Sequence, residues 1–217
     1  MRSHSGLFIT FEGLDGSGSN HYAEALSRLL SRQGYRVTFT HEPTNGMIGG
    51  LVKARVAGEW EIAPETLQLL FTADRSENLR TKILPALDAG RIVISDRYIL
   101  SALAYNVVLV NDPKWLAALN SRFIWPDLTF LIEVSPKLCA RRVKERRMEI
   151  ELYSEQDKLE RVWQEYQRLA STQDHIYKIN GERDDVAIID EIAEIARSYL
   201  NTKSMGERSR SYTEARY

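Results

Sequence analysis

The stretch that most constrains this chain is Leu7 to Ala23, LFITFEGLDGSGSNHYA. Leu7 to Phe11 is an apolar, β-branched run that reads as a buried strand, and Ala23, Leu26, Leu29 and Leu30 recur at helical spacing after it. Gly13, Gly16 and Gly18 lie between the two, so the chain passes from strand to helix through a glycine-rich turn. Such a turn aims several backbone N–H groups and the positive end of the helix at one spot, which suits a di- or triphosphate. Gly13, Asp15, Gly16, Ser17, Gly18, Ser19 and Asn20 are therefore the candidate phosphate-binding residues. The spacing fits G-x-x-x-x-G-K-[S/T] through Gly13 and Gly18. It then departs from the motif, with Ser19 in place of the lysine that meets the β- and γ-phosphates and Asn20 in place of the magnesium-binding hydroxyl.

The rest of the chain continues the alternation. Gly34 ends the first helix and Tyr35 to Thr40 alternates as a second strand, which leads to a turn at Pro43-Thr44-Asn45-Gly46. Pro64 opens a helix carrying Leu67, Leu70, Phe71, Leu79, Ile83 and Leu87, stopped by Gly90 before the buried-type strand Arg91 to Ser95. Ile99 to Leu119 reads as helix interrupted at Val107 to Asn111, Asp127 to Val134 as strand, and Pro136 to Arg147 as helix with Ser135 as its cap. Glu155 to Thr172, His175 to Ile179 and Val186 to Leu200 complete the pattern as helix, strand and helix. This predicts an α/β domain over residues 1–200, a three-layer fold with a parallel sheet of about five strands flanked by helices and the ligand at the sheet's carboxyl edge. Residues 201–217 are nearly free of apolar side chains and read as a flexible polar tail.

Composition sets outer bounds. With 217 residues, 43% of them apolar, the chain is long enough for one real core. The 29 basic and 30 acidic residues nearly cancel, so no overall field draws the chain to nucleic acid or anionic lipid. The single cysteine, Cys139, forms no internal disulfide and lies in a helical pattern that predicts burial. No apolar run reaches the roughly 20 residues of a membrane helix, which makes the cytoplasm the expected compartment.

A second constellation, IVISDRYILSALAY from Ile92 to Tyr105, delivers Asp96, Arg97 and Tyr98 from the carboxyl end of a buried strand. An aspartate there suits magnesium or its waters, and an arginine grips a phosphate with two hydrogen bonds. Together with FEGLDGSG, His41-Glu42-Pro43, LLFTADR ending at Arg75, SDRYxxSxxAY ending at Tyr105 and PDLTFLIEV from Pro126 to Val134, the chain resembles the thymidylate kinase family of P-loop nucleoside monophosphate kinases over about 200 residues.

The resemblance implies transfer of the γ-phosphoryl group of ATP to dTMP, with Mg2+, in a homodimer. It also implies roles. Asp15 resembles the carboxylate near the dTMP 3′-hydroxyl, Phe71 the ring stacked on thymine, and Arg75 the group reaching a base carbonyl. Glu42, from the Glu-Pro pair, and Tyr105, near the sugar, join the acceptor site. Arg97 resembles the arginine on the acceptor phosphate, and Asp96, with a weaker contribution from Asn20, the metal network. A lid over about 141–154 would bring Arg142 and Arg146, ahead of Arg141 and Arg147, to the charge that develops in transfer.

Four positions depart from the family pattern. They are Ser19, Asn20, His41 before Glu-Pro, and Ala102 where a hydrogen-bonding residue usually meets the base. Three readings stay open at this stage: a dTMP kinase, a catalytically impaired nucleotide-binding paralogue acting as a regulator, and a kinase for another nucleoside monophosphate.

Overall fold

The computed structural model describes residues 5–145, 156–173 and 175–214, the last dozen of these as backbone only. Five strands form one parallel sheet in the order β2-β3-β1-β4-β5, with β1 Leu7–Gly13, β2 Val37–His41, β3 Ile92–Asp96, β4 Leu128–Glu133 and β5 Ile176–Asn180. The central strand β1 is buried along its whole length, whereas the edge strands β2 and β5 are partly exposed. This is the burial order that a parallel sheet covered on both faces requires.

Side chains alternate across the sheet. Leu7, Ile9 and Phe11 of β1, with Ile92 and Ile94 of β3, join Tyr22, Ala23, Leu26 and Leu30 of α1 (Ser19–Arg32) in the larger apolar cluster. The residues of opposite parity, Phe8 and Val93, meet Leu79, Ile83 and Leu87 in a second cluster. Helices α5 (Ile99–Val110) and α8 (Gln156–Ala170) pack on each other, and α9 (Asp185–Glu214) lies against α1 and β5.

Several elements differ from the sequence expectation. The single helix expected from Pro64 is α3 (Pro64–Asn78), a π-helical turn (Leu79–Ile83) and α4 (Leu84–Asp88). Pro85 explains the turn: it has no N–H to give Thr81 and its ring crowds that carbonyl, so the backbone widens just before it. A short helix, α2 (Met47–Val56), follows the Pro43 to Gly46 turn, where none was expected. The break after α5 falls at Asn111, which takes a positive φ of 54°, and Asp112 caps α6 (Pro113–Asn120) by accepting from the Trp115 N–H at 3.0 Å. Helix α7 is Pro136–Glu145. Helical backbone of α9 continues to Glu214.

Candidate active site

All the strands point their carboxyl ends the same way, so the residues that close β1, β2 and β3 meet at one edge. His41 and Phe11 both stand in register with Asp96. The glycine-rich loop joins that edge to α1. Gly16, with φ of 88°, packs so closely against α7 that a Cβ there would lie 2.7 Å from the Cys139 carbonyl oxygen, which excludes every other residue type. Gly18 is the N-cap of α1, with φ of 92° and no side-chain cap, and no acidic residue lies in the first turn. The first N–H groups of a helix have no partner within it, so the loop and the uncapped helix end form a ready site for an anion.

Ser19 and Asn20 both turn to Asp96. Ser19 Oγ donates to Asp96 Oδ1 at 2.9 Å and Asn20 Nδ2 to Oδ2 at 3.2 Å. The two residues that replace the motif's lysine and hydroxyl are therefore spent on clamping the β3 carboxylate to the start of α1. The cations near the loop come from elsewhere. Arg97, itself at a positive φ of 67°, donates from Nη1 to the Gly13 carbonyl at 3.1 Å and from Nη2 to Asp15 Oδ1 at 2.6 Å. Its guanidinium lies 5.2 Å from the Tyr105 ring centroid, and the Tyr105 hydroxyl accepts from the Asp15 N–H at 2.9 Å. From α7, half-buried Arg142 donates to the Gly16 carbonyl at 3.2 Å.

A second polar group lies beside this edge. Arg75 is 1% exposed, and its Nε bonds Glu42 Oε2 at 2.9 Å, its Nη1 Asn120 Oδ1 at 2.6 Å and its Nη2 the Tyr98 carbonyl at 3.1 Å. Burial raises the Glu42 carboxyl, against the charge and hydrogen bond of Arg75 and the bond from Asn78. Asp74, next to Arg75, receives the Thr44 N–H at 2.7 Å and the Thr44 hydroxyl at 2.6 Å, which ties the loop after β2 to α3. Beneath the phosphate loop, Glu12 is fully buried with Ser101 and Tyr166 as its hydrogen-bond partners. Burial pushes the Glu12 carboxyl up to about 7, opposed by the Ser101 bond and the charges of Arg97 and Arg75.

Among the described residues no three or more His, Cys, Asp or Glu side chains gather as a metal-holding group, and no helix is long and apolar enough to cross a membrane. A family model described as thymidylate kinase matches residues 11–192. The chain belongs to the thymidylate kinase family. It is 36% identical over 185 residues to the probable thymidylate kinase of Thermococcus gammatolerans, a match that covers 82% of this chain and 89% of that protein. It is 31% identical over 206 residues to the thymidylate kinase of Leptospira interrogans, covering 94% of this chain and 100% of that protein. With the probable thymidylate kinase of Pyrococcus horikoshii it shares 40% identity over 146 residues, 65% of this chain and 71% of that one.

Set against a thymidylate kinase, the site residues read from the sequence fall into three groups. Gly13, Asp15, Gly16, Ser17, Gly18, Ser19, Asn20, Asp96, Arg97, Tyr105 and Arg142 come together around the phosphate loop. Glu42 and Arg75 pair with each other away from solvent, so the guanidinium's bonds are made inside the protein. Phe71 stands apart from both: it is half-buried and belongs to neither apolar cluster, although its helical spacing matches that of core residues. Arg146, Arg147 and most of the lid segment lie outside the described residues. Cys139 is buried as expected, with its thiol pushed up to about 12 by burial. Sequence reasoning assigned no role to Glu12, Ser101, Tyr166 or Asn120. The signal for the first was present, since Glu12 is the only charge in a seven-residue strand that is buried throughout.

Proposed function

We propose that the chain transfers the γ-phosphoryl group of Mg-ATP to dTMP, giving ADP and dTDP. The observation that carries this reading is the Arg97–Asp15 ion pair at 2.6 Å, which fastens the segment after β3 to the phosphate loop in a chain of the thymidylate kinase family. The ATP phosphates are assigned to the loop from Gly13 to Asn20 and the uncapped start of α1. The acceptor phosphate is assigned to Arg97, the sugar to Asp15 and Tyr105, and the base to the half-buried ring of Phe71, whose apolar face suits stacking. Glu42 and Arg75 form the floor of the acceptor side. Phosphoryl transfer asks the protein chiefly for positioning and for positive charge near the shifting oxygens. Arg97 and Arg142 are the described cations that reach the loop.

Magnesium enters as part of the nucleotide substrate. The residues present suit it, because Asp96 keeps lone pairs beyond those given to Ser19 and Asn20, and carboxylate oxygen is a preferred partner of this ion or its waters. We assign the chain to a homodimer, as the resemblance implies. Leu69 of α3 and Leu84 of α4 are 50% and 37% exposed and Leu51 of α2 is 48% exposed, more apolar surface than these helices need leave open in a monomer. A cytoplasmic location agrees with the lone buried cysteine.

The absence of a cation at position 19 favours a second reading, a nucleotide-binding paralogue with impaired transfer. ADP release with Mg-ATP and dTMP separates the two when the unmodified chain is compared with a Ser19→Lys, Asn20→Thr double variant. Acceptor-dependent turnover by the unmodified chain supports the kinase, with the double variant at most about 1,000-fold faster, since one preorganised electrostatic group is usually worth about 100- to 1,000-fold. Turnover confined to the double variant supports the impaired paralogue. Because Ala102 and His41 alter the acceptor side, dUMP, dCMP and dGMP belong in the same assay; a preference for one of them would replace dTMP as the acceptor.

A further inference from the structure

Under the phosphate loop Glu12, Ser101 and Tyr166 form a buried polar cluster. Glu12 ends in the interior one residue before Gly13. Its Oε2 accepts from the Ser101 hydroxyl and lies 3.4 Å from the Tyr166 hydroxyl, while its Oε1 has no hydrogen-bond partner among the described residues. Ser101 Oγ has two further neighbours: Arg97 Nη1 donates to it at 3.2 Å, and the Tyr166 hydroxyl lies 2.8 Å away.

A serine hydroxyl has one proton and two lone pairs. With that proton committed to Glu12, both lone pairs face the other way, one toward Arg97 and one toward Tyr166. Every bond in the series from Arg97 through Ser101 to Glu12 then has a donor facing an acceptor. Without an acceptor at position 12 the hydroxyl proton has no fixed direction, and the contact with Arg97 is lost whenever that proton turns toward the guanidinium, which has only donors to offer.

We infer that Glu12 is a positioning residue for Arg97: by fixing the direction of the Ser101 hydroxyl it holds the guanidinium above Tyr105, in the posture that receives the acceptor phosphate. The inference rests on the kinase reading, which assigns that phosphate to Arg97. Arg97 and Asp96 at the end of β3, Arg75 from α3, Ser101 from α5 and Tyr166 from α8 are the titratable, charged and polar groups facing Glu12. A protonated Glu12 donates to Ser101 instead of accepting, which releases the Ser101 proton from its fixed direction and removes the negative charge that draws the series toward Arg97. Acceptor binding therefore weakens as pH falls through the range in which this carboxyl gains its proton.

Calorimetric binding of dTMP without ATP tests this, from pH 6 to pH 8.5, on the unmodified chain and on Glu12→Gln, Glu12→Leu, Ser101→Ala and the Glu12→Leu, Ser101→Ala double variant. Thermal unfolding of each protein runs alongside. At pH 8 the Glu12→Leu and Ser101→Ala variants are each expected to bind dTMP about tenfold more weakly, the usual worth of one charge-assisted hydrogen bond. The double variant should be no weaker than either, because both substitutions break one series. Glu12→Gln keeps an acceptor oxygen and should stay within about threefold of the unmodified chain at pH 8. The dTMP phosphate titrates in the same range for every protein, so the ratio of unmodified to Glu12→Gln affinity is the readout. That ratio should fall toward low pH.

A flat ratio, or losses in the two single variants that add in the double, would overturn the inference. If Glu12→Leu does not fold, the pH ratio and the Ser101→Ala loss decide the matter. Failure of the unmodified chain to bind dTMP at any pH would sink the kinase reading, and this inference with it. Firm dTMP binding with a flat ratio would sink the inference alone.

Discussion

At the scale of single residues, the molecule relies on paired charges in places water does not reach. Arg75 and Glu42 are both almost wholly buried, 2.8 Å apart, and Asn120, the Tyr98 carbonyl and Asn78 give the pair further hydrogen bonds. Breaking such a pair from one side leaves a charge with no partner and no solvent, which typically costs about 3 to 5 kcal/mol. Arg75→Ala should lower unfolding stability by that amount in urea titration. Arg75→Lys should recover little of it, because an ammonium cannot present the planar fork that meets Glu42, Asn120 and the Tyr98 carbonyl together. A loss under about 1 kcal/mol for Arg75→Ala would mean that water enters the site and rescues Glu42. The same logic bears on Ser19 and Asn20. They are neutral, and their bonds to Asp96 hold the loop to β3 where a lysine would have been free to follow phosphate.

At the scale of elements, the strands and most helices were legible because their signals are local. Leu7 to Phe11, Ile92 to Ser95 and Leu128 to Val134 are apolar runs bounded by turn residues, and each became a strand of the sheet. Helix α2 was not legible. It is ten residues long with apolar side chains spread around it, and Gly49 and Gly50 argue against helix on propensity alone. The structure explains Gly49 by packing, since a Cβ there would lie 2.2 Å from the Thr44 carbonyl oxygen. Gly49→Ala should therefore lose stability, by about 1 to 3 kcal/mol, although alanine favours helix. Gly50→Ala, with open space around the position, should gain up to about 1 kcal/mol. Thermal melts of the two variants moving the same way would contradict this account. The site was half legible for a related reason. Loop residues and the Asp96-Arg97 pair carry motifs, whereas the inward turn of Arg75 and the meeting of Glu12, Ser101 and Tyr166 depend on contacts between residues 23 to 154 positions apart.

At the scale of the whole molecule, the two clusters of apolar side chains leave α2, α3 and α4 with leucines in solvent, while the described residues of α5 are at least half-buried. If these leucines meet a second copy, Leu69→Glu should convert the dimer to monomer in sedimentation at micromolar concentration without changing the far-ultraviolet circular dichroism. A monomeric unmodified chain at the same concentration would remove the dimer from the account. The strand order has a separate consequence for how the protein is made. Strand β1 precedes the other four strands of the sheet, yet it lies between β3 and β4, so Leu7 waits for Ile92 and Ile9 for Leu128. Pairings that distant form slowly, because a long stretch of chain must be brought back before any contact repays the closure. On the ribosome the phosphate loop therefore has no fixed shape until the strand that starts at Leu128 has emerged, and until then its apolar strand is exposed to other chains and to chaperones.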